Sequence, residues 1–311
     1  MVMRSFLLAV TFLLAAPAFA QTPVNDPGAP LSGYPRKALG LPTAQELTTA
    51  TYVRDVIYGH RDGMALTYDV FKPKNGANGA LVVSMVSAGW RSSWGPPEER
   101  QARYQWLIDK GFTVVALHHA SAPRFPVTDA VADIRLGMRH IKLHAVDYGA
   151  DPARIGVWGA SAGGHLSLVA GLMADDGDPA ADNPLERTGN RVRAVVAYFP
   201  PTDLDVLLAG RNRQGAIDFD ESLRKSISPV HFADAGDPPV LLITGDADKG
   251  VPPSQSETMK AALEKVGVEV KLTQYPGADH DFYVKGDPAK TDAYALDAMN
   301  AMVAWFETHL K

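Results

Sequence analysis

The chain has 311 residues and no cysteine. It can therefore form no disulfide, hold no metal through thiolate and carry no lipid on a cysteine, so its stability must come from packing. It also lacks any cluster of basic residues. Its 30 Lys and Arg and 35 Asp and Glu give a formal charge of −5 spread over both signs, with no basic stripe to neutralise phosphates, which excludes nucleic acid as a partner. A long apolar run is missing too: the run at residues 6–16 is shorter than the ~18 residues of a membrane span. It follows a single Arg4 and precedes Ala18-Phe19-Ala20. That pattern predicts a signal peptide over residues 1–20, cleaved after Ala20, which implies export to a periplasm or the medium with no anchor left behind. No Arg pair precedes the run, which points to export in the unfolded state.

What is present is a composition 46% apolar and 21% charged, enough to bury one large core in one domain. Residues 21–50 are rich in Pro, Gly and Thr and predict an irregular N-terminal arm. From residue 51 the pattern changes. Alternating runs at 52–58 and 65–71 predict an antiparallel hairpin through Gly59-His60-Arg61-Asp62-Gly63. Apolar strand-like runs follow at 81–86, 112–118, 154–158, 192–199, 240–244 and 268–275, with helical spacing over 97–110, 127–148, 162–173, 253–266 and 289–309. Such alternation over 51–311 predicts an α/β domain with a mostly parallel sheet covered by helices on both faces. Residues 174–190 and 203–228 break the rhythm and read as surface insertions. The acids Asp175, Asp176, Asp178 and Asp182 do not follow the order of a calcium loop and read as solvated.

The sharpest motif is Gly159-Ala160-Ser161-Ala162-Gly163, directly after the strand-like 154–158 and at the start of a helical pattern. This G-x-S-x-G setting lifts a serine hydroxyl above the sheet on a strained turn. A phosphate cradle would need a G-K-[ST] ending or G-x-G-x-x-G spacing, and has neither. A serine needs a base, and the base needs an acid to hold its tautomer. Among nine histidines, His280 is the one on a loop after an acid-bearing loop, because His309 falls in the terminal helix. Asp246 and Asp248 both follow the run at 240–244, while Asp279 and Asp281 flank His280 itself. The order Ser, Asp, His is that of the α/β-hydrolase fold.

The chain here resembles the bacterial α/β-hydrolases that include bifunctional acetyl-xylan and feruloyl esterases, near relatives of hormone-sensitive-lipase-type esterases. The likeness runs from about residue 65 to the C-terminus. It rests on the stretch from Asp151 to His165 around the serine, on Pro200-Pro201-Thr202-Asp203-Leu204, and on Pro238 to Asp248 with Val251-Pro252 behind it. The resemblance implies Asp248 as the triad acid and His280 as the base. Relatives carry His-Gly-Gly-Gly-Trp where this chain has Val86-Ser87-Ala88-Gly89-Trp90. The match implies oxyanion-hole amides at Ala88 and Gly89, joined by Ala162. Trp90, beside that loop, and His118 and His119, where relatives often have Tyr-Arg, are the candidate substrate-binding residues. His165, inside the helix after the serine, reads as structural, and the His118–His119 pair lacks further ligands for zinc.

The expected activity is hydrolysis of short-chain or aryl esters through an acyl-enzyme, with acetyl and feruloyl groups on small molecules or polysaccharide suggested by the resemblance and by export. It calls on no cofactor and no metal. Two alternatives stay open: a serine exopeptidase of the prolyl-oligopeptidase type and a non-catalytic binding protein on the same fold.

Overall fold

A computed structural model describes residues 49–212 and 214–311. The signal peptide expected over 1–20 and nearly all of the expected arm over 21–50 lie outside the described residues. Eight strands form one sheet: β1 (Ala50–Arg61), β2 (Met64–Pro73), β3 (Leu81–Met85), β4 (Thr113–Leu117), β5 (Ile155–Ala160), β6 (Ala194–Tyr198), β7 (Val240–Gly245) and β8 (Val270–Tyr275). The helices are α1 (Pro97–Arg100), α2 (Gln105–Ile108), α3 (Val127–Leu143), α4 (Ala162–Leu172), α5 (Pro184–Arg187), α6 (Leu204–Leu208), α7 (Ser254–Lys265) and α8 (Pro288–His309). The strand order is β1-β2-β4-β3-β5-β6-β7-β8. β1 and β2 form the antiparallel hairpin, β2 meets β4 antiparallel, and every later pairing is parallel. This is the α/β-hydrolase fold.

The inner strands are buried on both faces, as a parallel sheet under two helical layers requires. Along β3, Leu81, Val83 and Met85 join a core with α3, α4 and α7, whereas Val82 turns to the opposite core with α8. The period-two alternation thus feeds two cores from one strand. Full burial of each such side chain contributes about 1.5–3 kcal/mol.

Two expectations change. The helix predicted over 97–110 is broken into α1, a 3-10 turn and α2, because its polar residues face inward: the Gln101 amide donates to Gln105 and Thr49, and the Gln105 amide also donates to Thr49. Helical spacing was present, but buried polar bonds set the backbone. The 203–228 stretch is not only surface, since Leu204, Leu208, Phe219 and Ile227 are buried in the core beside α4. The 174–190 stretch fits the surface reading, and its Asp175 carboxylate accepts hydrogen bonds from Arg135 and Arg139 of α3. No helix of the described residues is long and apolar enough to cross a membrane.

Candidate active site

β5 ends at Ala160 and α4 begins at Ala162, which leaves Ser161 alone to reverse the chain, at φ 54° and ψ −120°. A non-glycine residue held there costs on the order of 1–3 kcal/mol. The neighbours explain how the turn survives. A Cβ on Gly159 would lie 2.4 Å from the Gly163 backbone, and one on Gly163 would lie 2.7 Å from the Met85 carbonyl oxygen. Only glycine fits at both positions. The Ser161 N–H donates to the Tyr198 carbonyl at 2.9 Å, which pins the turn to the end of β6. The side chain stays partly exposed at the N-terminus of α4.

The four strands β5 to β8 are consecutive and parallel, so the loops after them share one edge of the sheet. Asp248 lies after β7 and His280 after β8. His280 Nδ1 donates to Asp248 Oδ2 at 2.7 Å. The other carboxylate oxygen, Oδ1, accepts the N–H groups of Gly250 at 2.8 Å and Val251 at 2.9 Å. The Asp248 side chain is fully buried, whereas that of His280 is 29% exposed. With Nδ1 committed as donor, Nε2 is left as the basic nitrogen. Burial by itself pulls the imidazole down, but the Asp248 hydrogen bond and charge, aided by Asp281 and Asp279, leave it raised above an ordinary histidine.

The other acids have different work. Asp246 accepts the Gly277 N–H at 2.7 Å and ties its loop to the His280 loop. Asp279 accepts from the backbone of His280 and of Lys249, and these bonds hold its carboxyl below the usual range. Residues that sequence reasoning missed fill the gap between strand ends. Phe199, at φ 35°, follows β6 and packs its ring 4.4 Å from the His280 ring, while Phe282 packs against Tyr198, Phe199 and Tyr275. Their strand-end positions carry no periodic signal. Ser161 is thus bonded to Tyr198, next to the Phe199 that touches His280. The Ser161 hydroxyl itself makes no hydrogen bond to the imidazole among the described residues.

The loop after β3 corrects one expectation. Ala88 and Arg91 exchange both backbone hydrogen bonds, at 2.9 and 3.0 Å, around Gly89 and Trp90, each at φ 55°. Two central residues at positive φ are the mark of a type I′ turn. The Ala88 N–H is therefore consumed by the Arg91 carbonyl and is no oxyanion donor. Gly89 and Ala162 remain, with no acceptor for either N–H among the described residues. Positive φ falls on Gly89 and Trp90 and not on Ser87 or Ala88, which is why Ser and Ala can stand where relatives have Gly.

The expected substrate-binding residues are also corrected. Trp90 is 8% exposed, and its indole N–H donates to His165 Nδ1 at 3.1 Å, so it supports the turn instead of offering an open stacking face. His119 is buried between the Ala120 carbonyl and the Ser87 hydroxyl, bonded to them at 2.8 and 2.9 Å. His118 is buried with neither ring nitrogen bonded; burial, with the Arg100 charge, lowers it to about 3. Neither imidazole faces solvent. Asp203, Asp205 and His231 come close enough to one another to share an ion. However, one Asp203 oxygen already caps α6 through the N–H groups of Asp205 and Val206.

Comparison with known proteins agrees with the fold. The BD-FAE family model matches residues 68–263. Esterase LipQ of Mycobacterium tuberculosis is 26% identical over 247 residues, which cover 75% of this chain and 58% of the relative. The chain spans about half the length of the curated relatives it matches. Among solved structures, an acetyl ester-xyloside bifunctional hydrolase from Caldicellulosiruptor lactoaceticus superposes with TM-score 0.69 at 22% identity, over 82% of this chain and 95% of the other. Esterase Est2 of Thermogutta terrifontis with propionate bound gives 0.64 at 25% identity, over 83% and 94%.

Proposed function

Because the chain belongs to the BD-FAE family, we propose that it is a serine carboxylic-ester hydrolase that forms an acyl-enzyme on short-chain or aryl esters. One observation carries this reading: an imidazole whose Nδ1 is committed to a buried carboxylate stands at the same sheet edge as a strained serine at a helix N-terminus. In the reaction, His280 Nε2 takes the Ser161 proton as Oγ attacks the ester carbonyl. Asp248 then stabilises the imidazolium that results. The oxyanion is met by the N–H groups of Gly89 and Ala162, both fixed before reaction, so no reorganisation is needed as charge develops. His280 returns its proton to the departing alkoxide, and water activated by the same nitrogen releases the acid.

The acyl pocket is short in this reading. The propionate-bound relative supports a small acid, and the acetyl ester-xyloside hydrolase supports a sugar-linked acetyl group. Feruloyl is the aryl candidate. The substrate is thus a small or polysaccharide-linked ester met outside the cytoplasm, once the signal over 1–20 is removed. The test is kcat/KM for p-nitrophenyl esters from acetate to palmitate, with methyl ferulate and a peptide anilide alongside. Each methylene buried in a tunnel contributes about 0.8 kcal/mol, so a tunnel enzyme improves steadily with chain length, whereas this one peaks at acetyl to butyryl. A preference for octanoate or longer refutes the short pocket. Turnover of the anilide above all esters, or failure of a fluorophosphonate to label Ser161, refutes the esterase reading.

A further inference from the structure

The two remaining oxyanion donors sit on different pieces of the chain. Gly89 is on the turn after β3, and Ala162 opens α4. A hole built this way works only if the spacing between the pieces is fixed, because an error of about 1 Å in such a site costs on the order of 10²-fold in rate. One side chain spans the gap. His165 lies one helical turn beyond Ser161, and its own N–H is bonded to the Ser161 carbonyl at 3.0 Å. Its Nδ1 accepts the indole N–H of Trp90, the residue next to Gly89. Since Nδ1 accepts, the ring hydrogen is on Nε2, which donates to the Ile227 carbonyl at 2.7 Å. Both nitrogens are thereby used, and complete burial, which lowers the imidazole to about 4, keeps it neutral near pH 7.

Trp90 supplies the second half of the argument. It sits at φ 55°, where a bulky residue is strained and glycine would be the easy choice. Its ring packs edge-on against His165 at 5.7 Å. Strain of this kind persists only where surrounding bonds over-determine it.

We infer that His165 and Trp90 are positioning residues, a hydrogen-bonded strut from Trp90 through His165 to Ile227 that sets the oxyanion turn against the nucleophile helix and the 203–228 segment. The inference deepens the proposed ester hydrolysis and rests on it. Four variants test it: Trp90→Phe, His165→Leu, the pair together, and His165→Asn, whose amide oxygen can stand where Nδ1 stood. The expected result on p-nitrophenyl acetate is a loss on the order of 10²-fold in kcat for Trp90→Phe and for His165→Leu, with KM within about twofold. The double variant loses no more than either single, and His165→Asn, which restores the Trp90 bond but not the one to Ile227, recovers about tenfold of the loss. A packing role alone would lower Tm without that split or rescue. Additive losses in the double variant, or kcat unchanged in both singles, overturn the strut. Hydrogen exchange of the Trp90 indole, read by NMR and assigned with Trp90→Phe, gives a readout that needs no ester. It is slow in the parent and fast in His165→Leu, and equal rates overturn the bond. A protected indole in a parent protein that turns over no ester refutes the esterase reading instead.

Discussion

Replacing Asp248 by Asn removes one charge and moves no atom by much, yet the structure assigns it a large effect. In the native site Oδ1 receives two backbone N–H groups, from Gly250 and Val251, and Oδ2 receives the imidazole Nδ1–H. An Asn side chain has one acceptor oxygen and one donor nitrogen. Two backbone donors at fixed positions demand the oxygen, because an NH₂ group there would leave both of them buried and unpaired. The Asn nitrogen is then forced toward His280 and donates to Nδ1. The ring responds by carrying its hydrogen on Nε2, the atom that has to take the serine proton. The base is lost by choice of tautomer, with kcat falling about 10⁴-fold, or about 5 kcal/mol in the barrier. Asp246→Asn is the matched control: its single bond accepts the Gly277 N–H, which an Asn oxygen still accepts, so activity should stay within about threefold. Steady-state kinetics on p-nitrophenyl acetate, with circular dichroism to confirm folding, decides between them. Retention of a tenth of the parent rate by Asp248→Asn, or an equal loss in Asp246→Asn, would refute the tautomer argument while leaving Ser161 in place.

Ser161→Ala should abolish turnover, by about 10⁴-fold or more in kcat, and leave the melting curve in place; residual activity of a tenth would require another nucleophile. Ser161→Gly should be equally inactive but more stable by about 1 kcal/mol, since glycine accepts φ 54° without strain. The pH profile follows from the raised His280. The base must be neutral, so kcat/KM should rise with pH through a midpoint above ~6.5. Asp279→Asn and Asp281→Asn should each move that midpoint down. The same shift means that charged His280 stabilises the fold fully below ~6.5, and that this contribution disappears as pH rises through the folded-state value. Ala88→Gly should keep activity within about tenfold, because its N–H is already spent on Arg91. Gly89→Pro deletes a donor and cannot reach φ 55°, so kcat should fall by at least 10²-fold.

The sheet was legible because its signal is repetitive. Six apolar runs with helices between them define parallel pairing, and glycines that flank a serine at fixed spacing define the turn above it. Both patterns depend on local sterics, so sequence carries them. The choice between Asp246 and Asp248 depends instead on which carboxylate meets an imidazole from a loop 32 residues later, and composition is silent on that. Resemblance had singled out Asp248, and the geometry now supplies the reason: its backbone donors hold one oxygen and leave the other facing His280. The oxyanion turn was less legible. A match to Gly-rich relatives pointed to Ala88 but could not reveal that a tight turn spends its N–H internally.

What eluded sequence reading is of one physical kind. His118, His119 and Phe199 stand just past a strand end and Trp90 stands inside a tight turn, and at such positions neither period two nor period 3.6 says which way a side chain points. For His119 the direction is inward, to Ser87 of the oxyanion loop. Trp90 also turns inward, to His165. Trp90 and His119, which looked like pocket lining, are instead hydrogen-bonded inward, to His165 and to Ser87. The consequence is that selectivity toward the acyl group should be set by the surface those loops leave open around Ser161 and His280. The buried imidazoles should act on rate through loop position. Substitution of His119 by Gln, whose amide can still bond Ser87, should then lower kcat for acetate and butyrate esters by the same factor. A change in the acetate-to-butyrate ratio would place His119 against the substrate after all.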